Sequence, residues 1–129
     1  MAAAFLEHAN VTVRDVPATA QMLCDLFDWK VRWKGEEGAS IHGGTSWHVG
    51  GPDSYLAIYQ LEERTEAEDT YHTTGGLNHL GVVVDDLDAV EARVLGMGFE
   101  THSHADYEPG RRFYFDDFNG IEIEVVSYS

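Results

Sequence analysis

Residues 6–16, LEHANVTVRDV, and residues 77–87, LNHLGVVVDDL, decide the fold of this chain. When residue 6 is placed on residue 77, a leucine, a histidine, two valines and an aspartate coincide in the two stretches. Self-similarity of this kind is typical of a repeated structural unit. The sequence therefore predicts two copies of one module.

Both stretches have the alternation of a β-strand. In the first copy, Val11 and Val13 alternate with His8 and Thr12, and the second copy repeats the pattern around His79. Because the valines must cover a helix layer, we expect both histidines on the opposite face of their sheets. This face holds the candidates for function.

A short amphipathic helix is predicted after each strand. Asp15 and Asp86 are good N-cap residues, and Pro17 suits a first helical turn. The predicted apolar stripes are Val16, Ala20, Leu23, Cys24 and Phe27 in the first helix, and Leu87, Val90, Val94 and Leu95 in the second. The Gly96-Met97-Gly98 segment ends the second helix.

Three strand-like segments follow each helix, so each copy is β-α-β-β-β. The predicted fold is α+β, with two such modules forming a curved mixed sheet around a cleft and one helix per module on the outer face. We expect the first module at 1–61, an acidic surface linker at 62–76 and the second module at 77–129, together in one domain.

Composition narrows the classes of partner. Eight Lys and Arg against 23 Asp and Glu give a net charge of −15, which repels phosphate backbones and anionic lipid surfaces. No apolar run approaches the length of a bilayer span, and the start, MAAAFLEHANV, has no basic stretch. One cysteine excludes an internal disulfide and a Cys-rich zinc site. The sequence predicts a cytoplasmic protein that binds neither nucleic acid nor membrane.

A carboxylate is expected beside the two histidines. In the last strand Ile123 and Val125 take the apolar side, which places Glu122 and Glu124 on the face shared with the histidines. Two imidazoles and one carboxylate hold Fe(II), Mn(II), Ni(II) or Zn(II) and leave positions open for substrate. His8, His79 and Glu124 are therefore the predicted ligands of one divalent metal ion.

EHANVTVRDV with its helix, NHLGVVVDDLDAV and FYFDDFNGIEIEVV resemble the vicinal oxygen chelate superfamily over nearly the whole chain. That superfamily contains glyoxalase I, extradiol dioxygenases, fosfomycin-resistance transferases and bleomycin-binding proteins. The resemblance implies metal ligands at His8, His79, position 57 and Glu124, and it implies a homodimer. Ala57 stands where glyoxalase I has a carboxylate, so a standard glyoxalase I is not expected.

The predicted function is that of a metal-dependent lyase or isomerase acting on a small substrate that chelates the metal through two oxygens. The alternatives are a ring-cleaving dioxygenase and a metal-free binding protein of the bleomycin-resistance type. With Ala57 unable to act as a base, Glu122 or a tyrosine such as Tyr59 is a candidate to move the proton, and Glu124 is counted with the catalytic groups.

Three further side chains are candidates for substrate binding. Tyr55 and Tyr59 flank Ala57 on the predicted strand and can donate hydrogen bonds to an oxyanion, although tyrosines in a half-buried sheet usually only pack. Arg112 is a rare positive charge that suits an anionic substrate group or, equally, a salt bridge with nearby acids. The loops around residues 35–45 and 102–111 carry no motif that names a substrate.

Overall fold

The computed structural model describes residues 2–35, 43–107 and 110–129. The chain divides into two compact units, Met1–Arg64 and Thr65–Ser129. Neither helix of the described residues is long and apolar enough to cross a membrane.

The first unit is one module of a four-stranded mixed sheet and one helix. Its elements are β1 (His8–Thr12), α1 (Val16–Phe27), β2 (Lys30–Gly35), β3 (Thr45–Gly50) and β4 (Tyr55–Gln60). The strand order is β1-β4-β3-β2, with β1 parallel to β4 and the other pairs antiparallel. Parallel β1 and β4 bring the histidine of the first strand beside the last strand of the module.

Helix α1 begins where the sequence predicts. The Asp15 carboxylate accepts a hydrogen bond from the Ala18 backbone N–H at 2.9 Å, as an N-cap does. The helix ends at Asp28, which has a left-handed φ of 58°. Its buried face contains Val16, Thr19, Ala20, Met22, Leu23 and Leu26, so the stripe is rotated from the predicted one, and Cys24 and Phe27 are only partly buried.

The second unit repeats this plan. Its elements are β5 (Leu80–Val83), α2 (Leu87–Gly96), β6 (Thr101–Tyr107), β7 (Gly110–Asp116) and β8 (Glu122–Ser127). The strand order is β5-β8-β7-β6, again with one parallel pair, β5 and β8. The two β-α-β-β-β modules and the α+β fold are therefore confirmed.

Helix α2 packs through fewer residues than predicted. Its N-cap is Asp86, and Leu87, Val90 and Val94 are buried as expected. The prediction for Leu95 was wrong, because this side chain is 53% exposed. Leu95 lies about 100° around the helix from Val94, which is outside the narrow stripe that a ten-residue helix buries here.

A tight turn joins β7 to β8 and holds the last strand in place. The buried Asp117 carboxylate accepts hydrogen bonds from the backbone N–H groups of Asn119 and Ile121, at 2.8 and 2.9 Å. Gly120 has a φ of 82°, which favours glycine. Burial raises the pKa of Asp117 despite these hydrogen bonds. The turn therefore fixes the positions of Glu122 and Glu124 in β8.

Candidate functional site

In the second unit the face of the sheet away from α2 carries the predicted acids. Ile123 and Val125 are buried in the core, whereas Glu122 and Glu124 lie on the other face of the same strand. Strand β5 pairs with β8 so that Gly81 lies opposite Glu124. Because His79 precedes Gly81 by two residues, its side chain is on the same face as Glu124.

The imidazole of His79 contacts Glu124. The distance from His79 Nε2 to Glu124 Oε1 is 3.2 Å, and the two side chains are 33% and 13% exposed. The other carboxylate oxygen, Oε2, accepts a hydrogen bond from Arg112 Nη1 at 2.8 Å. Tyr114 lies directly opposite Glu124 on β7, and burial and this carboxylate raise the pKa of Tyr114.

Arg112 therefore forms an ion pair with a carboxylate of its own sheet, that of Glu124. Its guanidinium lies 5.5 Å from the centre of the Tyr107 ring, and its Nε is buried without a hydrogen-bond partner among the described residues. A cavity of about 260 Å³ is lined in part by Arg111 and Arg112. Arg111 is paired with Asp88 of α2 at 2.9 Å. Both arginines beside this cavity already have carboxylate partners.

Tyr71 contacts both Glu122 and His79 on this face of the sheet. Its hydroxyl donates a hydrogen bond to Glu122 Oε1 and lies 3.4 Å from His79 Nδ1. The hydrogen bond to Glu122 raises the pKa of Tyr71 to about 12. Tyr71 lies in the stretch predicted as linker, and the sequence contains no pattern that points to it.

A second group of potential ligands includes Glu122. One ligand atom each from His102, Asp116 and Glu122 lies within 4.8 Å of the others. A β-bulge between His102 and Ala105, with Ser103 at a φ of 56°, separates His102 from His104. His102 consequently lies beside Asp116, whereas His104 reaches Glu91 of α2 at 2.6 Å. No pattern in the sequence predicts this bulge.

In the first unit His8 lies on the corresponding face. Its Nδ1 is 3.0 Å from Glu7 Oε1, and its ring stacks on Tyr55 with ring centres 4.8 Å apart. Tyr55 also donates a hydrogen bond to Glu7 Oε1 at 3.3 Å. Partial burial, together with the nearby Glu7 carboxylate, raises the pKa of Tyr55. The His8 side chain is 44% exposed.

Ala57 is surrounded by aromatic and amide groups rather than acids. It is buried on β4, opposite His48 of β3 and Asn10 of β1. His48 stacks on Tyr55 with ring centres 4.4 Å apart, and Trp33 lies 4.8 Å from His48 on its other side. Burial lowers the pKa of His48. The face thus presents a row of rings around a small residue.

The hydroxyl of Tyr59 forms a hydrogen bond with the backbone. It donates this bond to the Gly43 carbonyl at 2.8 Å. This contact ties β4 to the segment that enters β3. The loop stretch 36–42 that precedes Gly43, with His42, and residues 108–109 lie outside the described residues.

The distance between His79 and Glu124 suits a shared metal ion. Two ligand atoms bound at about 2.1 Å to one tetrahedral ion are about 3.4 Å apart. The observed distance of 3.2 Å is close to this value. Within the second unit, the structure brings His79, Glu122, Glu124 and Arg112 together. His8, Tyr55 and Tyr59 belong to the first unit.

The comparisons with known proteins agree with this architecture. The glyoxylase/bleomycin resistance protein/dioxygenase domain from Frankia sp. EAN1pec has a TM-score of 0.80 and 21% identity over 98% of each chain. The fosfomycin resistance protein FosX from Mesorhizobium loti has a TM-score of 0.70 and 26% identity, over 95% of this chain and 90% of that chain.

An antibiotic binding protein, TnmS3 from Streptomyces sp. CB03234, has a TM-score of 0.71 and 19% identity over 100% of this chain and 99% of that chain. No curated protein matches significantly. At such identities the solved structures show a common fold. The model of one protein family matches residues 5–125, which confirms the resemblance seen in the sequence. This chain belongs to the Glyoxalase/Bleomycin resistance protein/Dioxygenase superfamily.

Proposed function

We propose that the protein is a divalent-metal-dependent lyase or isomerase whose small substrate presents two neighbouring oxygens to the metal. His79 and Glu124 would hold the ion together with His8. The observation that carries the proposal is the 3.2 Å distance between His79 Nε2 and Glu124 Oε1. Imidazole and carboxylate ligands suit Zn, Ni, Mn or Fe.

His8 is assigned as the third ligand because it is the equivalent of His79 in the repeat. The two histidines also share a hydrogen-bonding arrangement. Nδ1 of His8 contacts Glu7, and Nδ1 of His79 contacts the Tyr71 hydroxyl, so Nε2 of each ring is the nitrogen left for a metal. In the homodimer that we propose, His8 comes from the same chain or from the partner.

The metal would act as a Lewis acid on the substrate oxygens. The protein must then supply the proton acceptor, and Ala57 offers none, which argues against the reaction of glyoxalase I. Glu122 is the carboxylate that we assign as base, since it lies on the same face of β8 as Glu124. Arg112 holds Glu124 Oε2, which leaves Oε1 turned toward His79.

The second candidate is a metal-free protein that binds an aromatic ligand. One observation favours it, namely the row of rings formed by His8, Tyr55, His48 and Trp33, in which Trp33 is 46% exposed. Stacking on such a row would bind a planar ligand without a metal.

A ring-cleaving dioxygenase would need the same ligands with Fe(II), and oxygen uptake with a catechol would reveal it.

Metal analysis of protein purified without chelator separates these candidates. We expect about one divalent ion per chain, and a loss of most of it in His8→Ala, His79→Ala and Glu124→Gln. His104→Ala is the matched control, because His104 pairs with Glu91 and is not among the proposed ligands. Each variant is compared by circular dichroism to show that it folds.

Two results would contradict this proposal. Less than about a tenth of an ion per chain, also after incubation with zinc or manganese salts, would favour the metal-free binding protein. An unchanged metal content in His79→Ala and Glu124→Gln, with a loss in His102→Ala, would place the ion at the second group of ligands.

A further inference from the structure

Three potential metal ligands lie on adjacent strands at one end of the second sheet. His102 is on β6, Asp116 ends β7 and Glu122 begins β8. His102 pairs with Tyr114 and Asp116 pairs with Glu122, while Tyr114 pairs with Glu124, so all three side chains lie on the face that also carries Glu124. One ligand atom from each lies within 4.8 Å of the others. An imidazole and two carboxylates are therefore grouped beside the ligands proposed above.

The two carboxylates of this group face each other across strands without a cationic partner. Asp116 and Glu122 are directly opposite in the pairing of β7 with β8, at the two ends of the turn that the Asp117 carboxylate holds. Like charges directly opposite in a sheet destabilise it. Among the described residues, neither carboxylate forms an ion pair with a lysine or an arginine. A divalent cation bound between them would remove this repulsion.

The spacing between His102 and Asp116 suits an ion better than a hydrogen bond. The distance from His102 Nε2 to Asp116 Oδ1 is 3.7 Å, which is too long for an N–H···O hydrogen bond. Two ligand atoms on one tetrahedral ion are about 3.4 Å apart. On the other side of the ring, Ser103 Oγ lies 2.9 Å from His102 Nδ1 and supports the imidazole. Tyr71 donates to Glu122 Oε1, which leaves the second oxygen of that carboxylate for an ion.

We propose that His102, Asp116 and Glu122 form a second divalent-cation site, separate from the ion proposed at His79 and Glu124. One imidazole and two carboxylates suit Zn(II) or Mn(II). The His102 and Asp116 side chains are 43% and 60% exposed, so water screens their attraction for the ion and the site is the weaker of the two. It therefore fills only when metal is added. In the proposed enzyme an ion there would occupy Glu122, the assigned base, and slow turnover; only this consequence rests on the proposed function.

The test is equilibrium dialysis against a series of buffered free zinc concentrations, followed by metal analysis of the protein. We expect a first ion and, at higher free zinc, a second. His102→Ala and Asp116→Asn should raise the free zinc needed for the second ion by at least about 10-fold, since even the loss of a group behind a ligand weakens metal binding about 10- to 100-fold. His104→Ala is the matched control, because the bulge at Ser103 directs that histidine of the same strand to α2. It should keep both ions.

The outcomes separate the second site from the first. His79→Ala should lose the first ion and keep the second, and in the parent the ring ¹⁵N signals of His102, but not those of His104, should shift as the second ion binds. A second ion that His102→Ala retains, or that His104→Ala loses equally, would overturn the inference. If only a His79-dependent ion binds, the inference fails and the proposed function stands. If only a His102-dependent ion binds, the proposed function fails and the inference stands.

Discussion

Replacing Arg112 by methionine should show how strongly the stability of the second unit depends on the ion pair between Arg112 and Glu124. The Arg112 and Glu124 side chains are 17% and 13% exposed, and their hydrogen bond is 2.8 Å long. Removing one partner of a buried ion pair costs about 3–5 kcal/mol, because the other charge stays buried. Glu124 keeps its contacts with Tyr114 and His79, so we take the lower value, about 3 kcal/mol.

One feature of Arg112 acts in the opposite direction. Its buried Nε has no hydrogen-bond partner in the part of the chain that the structure describes, and a buried donor in that state costs at least about 1 kcal/mol. Methionine fills much of the same volume and removes that donor. The expected net loss in the free energy of unfolding is therefore about 2 kcal/mol. With a urea dependence of about 2 kcal/mol per M, the midpoint should fall by about 1 M.

The neighbouring arginine supplies the control. Arg111 pairs with Asp88 at 2.9 Å, but these side chains are 49% and 74% exposed. Arg111→Met should cost less than about 1 kcal/mol, as exposed pairs do. In a double-mutant cycle with Glu124→Gln, Arg112→Met should show a coupling of about 2 kcal/mol. Equal losses for the two arginines, or a coupling near zero, would show that the ion pair between Arg112 and Glu124 does not contribute this stability.

Two further perturbations test the fold and the pH dependence of its stability. Val94→Ala should cost about 2 kcal/mol in urea unfolding and Leu95→Ala less than about 0.5, because Val94 is buried and Leu95 is exposed; comparable losses would contradict the described face of α2. Burial raises the pKa of Glu91, but hydrogen bonds from Thr101 and His104 outweigh it and hold that pKa below its ordinary value. The resulting stability is present above the unfolded pKa and is lost as pH falls through the folded one. In Glu91→Gln the loss of stability between about pH 5 and 3 should therefore be shallower than in the parent, and an unchanged slope would exclude this contribution.

The fold was predictable because its signals are local. Strand alternation around His8 and His79 and the capping residues Asp15 and Asp86 are read from neighbouring positions, and the structure agrees with each. The helix stripes were less accurate, since several rotations of a short helix bury a similar set of residues. Leu95 shows this limit.

The site was predictable only where strand parity decides it. Parity places Glu124 and His79 on one face, and their contact follows. Tyr71 reaches Glu122 across 51 positions of sequence, from a turn without periodicity, so no local pattern predicts that hydrogen bond. The bulge at Ser103 changes the parity of β6, which is why His102 and His104 point to different partners.

The most direct test of the proposed metal site is to locate the ion by anomalous X-ray scattering from crystals grown with a zinc salt. We expect the strongest peak at about 2.0–2.2 Å from both His79 Nε2 and Glu124 Oε1, with His8 as a third ligand. A strongest peak among His102, Asp116 and Glu122, or no peak beside His79, would contradict it.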